Sequence, residues 1–507
     1  MSEYFRKLIR RDPPPAAHIR FRCAKLHRVS DGKENEYNTI YDVLKSRGWK
    51  ETDVDSDWHI FWTDKDWIHS AFDKMHLDPH QHVNHFLNHY ELTRKDLLVK
   101  NMKRMKRQCE KEGRLAEAAR YNICPITFVV PQEYSMFVEE FKKWTGSTWI
   151  MKPIGRSQGS GIFLVNKLAQ TQQWKPKQDW NPVQPAKASE DDEAAGVETY
   201  VAQKYVEAPL LIGGKKFDMR LYVCVTSYHP LTVYMHRGGF CRFSMSRYSS
   251  DKSNLNDLGS HLTNVAVQKH SGKAAYKRTG AKWDVNNLKS YLLTTAGVDV
   301  VNQLFHDIEG IVIHSLLSVQ KVMINDKHCF EMYGYDILID SEYKPWLLEV
   351  NASPSLTANT TADYEMKYGL LDDLLTLLDI EKYLSGNELQ VGGFDLLYKD
   401  GYRYSPPEGS IFTSYLGCYN NRLTQLQRLA KTRAQETRGH QHQSRDSLGS
   451  PSAGDEKEAE SARKQSTSGP PEATFPNPED PRLDPGFGAS TKPRTVRPYP
   501  PNPPVGK

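Results

Sequence analysis

No stretch of this 507-residue chain approaches the roughly 18 consecutive apolar residues of a membrane-spanning helix. Met1 to Pro15 hold charges and three prolines where a signal peptide would carry an apolar run, so a soluble, intracellular chain is expected. The seven cysteines, at 23, 109, 124, 224, 241, 329 and 418, form no CxxC and no Cys/His cluster, which argues against a disulfide framework and a zinc site and predicts packed thiols. Familiar phosphate-binding signatures are missing too. There is no GxxxxGK[ST], no GxGxxG and neither kinase landmark, HRD or DFG. Charge of one sign is not in large excess: a net charge of +5 does not by itself imply nucleic acid, and contact with a polyanion would have to come from a local patch.

What is present divides unevenly along the chain. All ten tryptophans lie at or before Trp346, whereas thirteen of the twenty-nine prolines follow Ser450, so residues 421–507 are expected to be a disordered tail. A second polar stretch, Ala169 to Ala195, reads as a solvated insertion loop. Between them lie strand-like runs at 148–154, 161–165, 200–206, 217–226, 231–243, 329–339 and 345–350, with helical segments at 94–112, 284–296 and 300–320. The class is α+β with antiparallel hairpins. Five parts are expected: an N-terminal domain over 1–92, a central one over 93–206, a third over 207–385, a peripheral extension over 386–420, and the tail.

The run Tyr333-Gly-Tyr-Asp-Ile-Leu-Ile-Asp-Ser-Glu-Tyr-Lys-Pro-Trp-Leu-Leu-Glu-Val-Asn351 reads as a hairpin turning between Glu342 and Tyr343. That register opposes Tyr335 to Val350, Ile337 to Leu348 and Ile339 to Trp346, giving one apolar face. It also opposes Asp336 to Glu349, with Asn351 two residues on and on the same side. Directly opposed like charges destabilise a sheet, and a bound cation would resolve the conflict; an oxygen-only ligand set suits Mg²⁺. The alternative is a set of solvent-facing polar residues on an ordinary edge hairpin.

The run Trp149-Ile-Met-Lys-Pro-Ile-Gly-Arg-Ser-Gln-Gly-Ser-Gly161 ends a strand in Lys152 and enters a glycine-rich loop before the next strand. Such a loop can bring backbone N–H groups to phosphates while the lysine adds charge, although taken alone an ordinary β-turn explains it better. Further along come His89-Tyr-Glu-Leu-Thr-Arg-Lys-Asp-Leu97, Gln203-Lys-Tyr-Val206, Lys216-Phe-Asp-Met-Arg220, His261-Leu-Thr-Asn264 and Trp346-Leu-Leu-Glu-Val-Asn351.

In these motifs the chain resembles the tubulin tyrosine ligase-like family, in its short polyglutamylase branch, over about residues 18–380. The resemblance implies an ATP-grasp-like core using ATP and Mg²⁺. It implies that Lys152 and the loop with Arg156, Ser157, Gln158 and Gly159 hold phosphates. Gln203, Lys204, Tyr205 and Val206 would form the adenine-side strand, while Lys216, Phe217, Asp218, Thr263 and Asn264 would belong to the nucleotide site. Asp336, Glu349 and Asn351 would be the metal ligands. Arg242 and Lys282 would bind the incoming free glutamate, Arg156 would face the protein substrate, and Arg156 with Arg220 would be catalytic. One departure is Ser160, where many relatives carry a lysine or arginine, so looser phosphate closure is expected.

The implied reaction adds glutamate to glutamate side chains of tubulin tails through an acyl phosphate, with glycine or tyrosine as alternative donors and a non-catalytic microtubule-binding subunit as a further alternative. Such chemistry needs charge neutralisation and positioning and no covalent nucleophile. Arg94 to Arg114, with nine Lys or Arg against three acidic residues, reads either as a docking helix for acidic tubulin tails or as a solvated helix face. Accessory subunits, the cytoskeleton, axonemes and basal bodies follow only from the branch resemblance.

Overall fold

The computed structural model describes residues 18–431 apart from 24–28, 31–32, 35–38, 55–56, 157–158, 175–197, 252–253, 264–281, 359, 383 and 430. Three sheets organise it. The first is parallel, in the order β2-β1-β3-β4, from β1 (Arg20–Cys23), β2 (Lys50–Glu51), β3 (Ile60–Trp62) and β4 (His82–Val83). The second is antiparallel, in the order β5-β8-β6-β7, from β5 (Thr127–Val130), β6 (Trp149–Pro153), β7 (Phe163–Val165) and β8 (Tyr200–Lys204). The third has nine strands, with β12-β11-β9-β10-β13 as its main path: β9 (Lys215–Tyr228), β10 (Leu231–Phe243), β11 (Glu331–Ile339), β12 (Pro345–Asn351) and β13 (Phe394–Lys399).

Strict alternation along β9 decides what each face of this largest sheet does. Phe217, Met219, Leu221, Val223 and Val225 point into one core, together with Tyr335 and Ile337 of β11. Covering that core are α2 (Lys95–Lys111), α4 (Val285–Ala296) and α5 (Val298–Gln320). The opposite face begins with Lys216, Asp218 and Arg220 and continues with Tyr222 and Cys224. Over its far half lie α1 (Thr39–Ser46) and α6 (Thr361–Leu377), which bring Ile40, Val43, Leu370, Leu371 and Leu374 against Tyr222, Cys224 and Phe240. A further helix, α3 (Tyr134–Lys143), packs Phe137 and Phe141 on Trp149 of the second sheet.

The expected strands and the three helical segments are all present within a few residues, as is the α+β class. Two parts of the C-terminal expectation differ. Within 386–420, expected as peripheral, β13 pairs with β10 and buries Phe394, Leu396 and Leu397, so this segment completes the central sheet. The fold also runs past residue 421: Arg422 is held by Asp372 and, at 2.5 Å, by Asp373, both buried on α6. Residues 432–507 lie outside the described residues. In the expected insertion, residues 168–174 form a 3-10 turn and residues 175–195 lie outside the described residues. All seven cysteines are free thiols, and among the described residues no helix is long and apolar enough to cross a membrane.

Candidate active site

The hairpin register holds where the charges are and slips where the turn is. Tyr335 opposes Val350, Asp336 opposes Glu349 and Gly334 opposes Asn351; beyond these, Ile337 opposes Leu347 and Ile339 opposes Pro345. The expected Ile337–Leu348 and Ile339–Trp346 pairs are therefore displaced by one residue, and Leu348 is the extra residue of a β-bulge. The turn accounts for the slip. Asp340 accepts from the amides of Glu342 (2.9 Å) and Lys344 (3.0 Å) and from the Trp346 indole (2.8 Å), and Tyr343 adopts φ +61°. Leu347 consequently enters the core, whereas Leu348 and Glu349, though consecutive, both line the same cavity.

That cavity lies between the second and third sheets. Lys152, Gln203, Lys204, Tyr205 and Val206 line it from one side, and Lys216, Asp218, Thr263, Asp336 and Glu349 from the other. Ile150, Ile162, Leu338 and Leu348 give it apolar walls. Two lysines inside it lean on neutral acceptors. Lys152 donates to the Gln203 amide oxygen at 2.8 Å, and Lys216 donates to the Tyr205 hydroxyl at 2.9 Å. Burial pushes their ammonium groups down, Lys152 to about 8 and Lys216 to about 7. Gln203 is itself held by Thr127 (2.9 Å), and the Tyr205 hydroxyl meets His261 Nδ1 at 3.1 Å.

Cross-strand pairs of charge run through the site. Asp218 on β9 opposes Arg242 on β10, and Arg220 on β9 opposes Asp336 on β11. Arg220 reaches Asp336 at 2.5 and 3.1 Å, and Arg242 reaches Asp336 at 2.7 Å while also holding Asp218. Burial alone would raise the Asp336 carboxyl, but the two guanidiniums outweigh it and hold it well below the usual carboxylate range. Gly334, the next residue of β11 on this face, leaves room for Arg220: a Cβ there would stand 2.8 Å from Pro354 and 3.2 Å from the Arg220 side chain.

The opposed carboxylates are thus not an unbalanced pair, and a cation is not required to hold the hairpin together. The donors nevertheless fit one. Asp336 stays ionised with three of its roughly four acceptor positions used. Glu349 has Lys95 at 3.7 Å and acts electrostatically on Lys152, and Asn351 lies beside it, with Nδ2 3.4 Å from Glu349 Oε1. An anionic, all-oxygen set of this kind suits a hard divalent ion.

Several expected residues sit elsewhere. Phe217 faces the core and meets the Phe243 ring at 5.5 Å, because alternation sends it away from Lys216 and Asp218. Arg156 is half exposed and pairs with Glu198 at 2.8 Å, and its carbonyl accepts from Lys95 at 3.4 Å. Gly159 and Gly161 have φ +81° and +72°, conformations that favour glycine, so the loop turns as its composition suggests. Ser157, Gln158 and Asn264 lie outside the described residues. Lys282 is bound to Asp363 at 2.8 Å. On α2, Leu98, Val99 and Met102 are buried, Lys103 pairs with Glu133 at 3.0 Å, Lys106 donates to Asn122 at 2.7 Å and Arg104 to the Ser318 carbonyl at 2.8 Å. Lys95, His261 and Asp363 contribute to the site although no role was expected of them. Lys95 and His261 stand inside motifs quoted above, whereas Asp363 opens a helix whose buried and charged residues run all round it and leave no amphipathic stripe to read.

Comparison with known proteins agrees with this geometry. Residues 73–386 match the Tubulin-tyrosine ligase family. A mouse chain named Probable tubulin polyglutamylase TTLL9 is 46% identical over 447 residues, covering 81% of this chain and 96% of the relative. A Caenorhabditis elegans chain named Probable tubulin polyglutamylase ttll-9 is 45% identical over 393 residues, covering 75% and 90%. A Tetrahymena thermophila chain named Probable alpha-tubulin polyglutamylase Ttll1 is 42% identical over 395 residues, covering 73% and 94%.

Proposed function

The chain belongs to the tubulin-tyrosine ligase family, and from that premise we propose that it is an ATP-dependent ligase joining free glutamate to glutamate side chains of tubulin tails. The γ-phosphoryl group of ATP passes to a tubulin side-chain carboxylate, giving an acyl phosphate and ADP. The amine of free glutamate then attacks the acyl carbon, loses a proton, and expels phosphate as the isopeptide bond forms.

One observation carries the reading: a lysine-lined cavity between two sheets adjoins a pair of opposed carboxylates and a pair of buried arginines set along β9 to β12. Lys152 and Lys216, undercharged by burial, gain most from a polyanion, which suits phosphate binding. Where a divalent cation is bound, Asp336, Glu349 and Asn351 would hold it, and it supplies neutralisation of phosphate charge. Arg220 keeps Asp336 ionised and in place. Arg242 and Lys282 favour a donor with an acidic side chain over glycine or tyrosine, since each can give a charge-assisted hydrogen bond to a carboxylate. Arg156, exposed and paired with Glu198, would meet the tubulin tail.

Purified protein incubated with ATP, Mg²⁺, tubulin and labelled glutamate, glycine or tyrosine tests this, with and without cell extract to supply accessory subunits. Incorporation of glutamate above the other two is expected; no glutamate incorporation in either condition overturns it. The same reading places the protein on the cytoskeleton, at axonemes and basal bodies, where a tagged chain in ciliated cells should concentrate.

A further inference from the structure

A second cleft shares no residue with the catalytic cavity. It opens where the end of the short helix Leu115–Arg120 meets the middle of α5 and the turn of the β11–β12 hairpin. Arg120, Asn122, His306, Asp307, Lys344 and Arg403 bring polar side chains to it, and no step of the proposed reaction uses them. Their charges do not cancel. Arg403, 2% exposed, donates to Glu309 at 2.8 Å and to His306 Nε2 at 2.9 Å, so it is answered within the fold. Because a guanidinium only donates, His306 accepts through Nε2 and its ring is neutral, with the proton on Nδ1. Arg120 and Lys344, both exposed, then stand against the single carboxylate of Asp307, which Gln303 holds at 2.8 Å. Asp340 could have paired with Lys344 but accepts instead from two amides of the turn and from the Trp346 indole. The Lys344 ammonium lies 3.8 Å from the centroid of the Trp346 ring, with no carboxylate within ion-pair distance among the described residues.

Two elements connect the catalytic cavity to this cleft, and they give the same distance. Along β12, Glu349 in the cavity and Lys344 at the turn are about five residues apart, or about 16 Å at roughly 3.3 Å per residue. Along α2, Lys95 stands 3.7 Å from Glu349, and Lys106 donates at 2.7 Å to the Asn122 side-chain oxygen, which leaves the Asn122 Nδ2 donors to the cleft. From Lys95 to Lys106 is again about 16 Å, at roughly 1.5 Å for each of about eleven residues. The intervening turns of α2 carry Lys100, Lys103 and Arg104. An extended peptide covers that distance in about five residues. A basic path therefore leads from the opposed carboxylates to a cleft that has more cations than carboxylates.

We propose that this cleft is a second docking point for the acidic tubulin tail, holding acidic side chains of the tail while a glutamate about five residues away occupies the catalytic cavity. The inference rests on the ligase reading above and adds a rule of spacing to it. Arg120 and Lys344 are positioning residues, because they meet the tail away from the reacting atoms. The tail's carboxylates accept from them and supply the negative charge that Asp307 alone does not.

The full chain carrying both Arg120→Glu and Lys344→Glu tests this, because both side chains are exposed and their replacement leaves the core untouched. Its thermal midpoint should match that of the unmodified chain. Its KM for tubulin should rise about tenfold at low salt, with the difference shrinking as salt rises, while kcat and the KM for ATP stay within about twofold. An unchanged KM for tubulin, or an equal rise in the KM for ATP, overturns the docking point. Peptide acceptors carrying one glutamate and, at varied distance, a block of three aspartates measure the spacing. Incorporation by the unmodified chain should peak when the aspartates lie about five residues to one side of the glutamate, and the peak should flatten in the reversed chain. A rate independent of spacing, or a peak that survives the reversal, overturns the proposal. If the unmodified chain incorporates no glutamate, the ligase reading fails and binding of a fluorescent tubulin-tail peptide decides alone. About tenfold weaker binding by the reversed chain upholds the docking point, and equal binding refutes it. Saturable binding of inorganic phosphate that the reversal abolishes, without any change in peptide binding, marks a small-anion site and also refutes it.

Discussion

In the cavity between the second and third sheets, Lys152 and Lys216 rest on an amide oxygen and a phenol; beside it, Arg242, Arg220, Lys282 and Lys367 are each joined to Asp218, Asp336 or Asp363. Two kinds of cation result from these surroundings. The first kind carries charge that burial has weakened and that no carboxylate balances within ion-pair distance among the described residues, so it awaits a polyanion. The second kind is balanced already, so a ligand must share or replace an internal carboxylate. Affinity for nucleotide and choice of amino acid therefore arise by different physics in adjacent places.

The sharpest way to break this contrast is at Asp336. Asp336→Ala leaves Arg220 and Arg242 buried without their common partner and should cost about 3–5 kcal/mol, a large share of the roughly 5–15 kcal/mol by which a domain is stable. Thermal melting checks it. Asp336→Asn keeps hydrogen-bond acceptance but loses charge, and should lower glutamate incorporation by about two to three orders of magnitude while the protein remains folded.

In the cavity the sign reverses. Lys216→Met removes a buried ammonium that folding has to tolerate, so the melting temperature should hold or rise while the KM for ATP increases about tenfold or more. A variant that both melts early and binds ATP normally would show that the lysine is structural.

Linkage gives a third test. Burial lowers the Lys216 pKa to about 7 in the folded chain from its ordinary 10.5, so the unfolded state holds that proton more tightly. Its contribution to stability therefore rises as pH climbs from about 7 toward about 10. Phosphates restore the charge, so nucleotide binding near pH 8 should take up as much as about one proton per lysine and weaken as pH increases. Calorimetry in buffers of differing ionisation enthalpy measures this, and binding without proton uptake would remove the contrast between the two kinds of cation.

The smallest effect belongs to α2. Charge reversal at Lys103, Arg104, Lys106 and Arg107 should weaken microtubule binding only several-fold at low salt, with the difference fading as salt rises. Three of those residues already hold neighbours within the chain, and a surface pair such as Lys103–Glu133 contributes about 0.2–1 kcal/mol. Unaltered binding at low salt would reject the docking role for this helix.

Period-two alternation made the central strands legible, and the motifs at 149–161, 203–206, 216–220 and 346–351 marked most of the cavity lining. Phe217 lies inside one of those motifs, yet alternation along β9 turns it into the core. The helix Thr361–Leu377 was not expected because apolar and charged residues alternate around it without one apolar stripe: it buries Leu370, Leu371 and Leu374 against the sheet while Asp372 and Asp373 receive Arg47 and Arg422 from distant segments. Strand β13 is short and flanked by glycines, so its partner β10, some 160 residues earlier, could not be inferred locally.

The opposition of Asp336 and Glu349 was determined by sequence alone, because side chains on paired strands have no freedom but to alternate and the hairpin is local. Which charges answer that opposition was not. Arg220 and Arg242 come from neighbouring strands more than ninety residues away, Lys95 from a helix earlier still, and the bulge at Leu348 from how Asp340 closes the turn. Local periodicity specifies which face a residue occupies, whereas the partners it meets there depend on strand order and register across the whole sheet, and only the folded chain decides those.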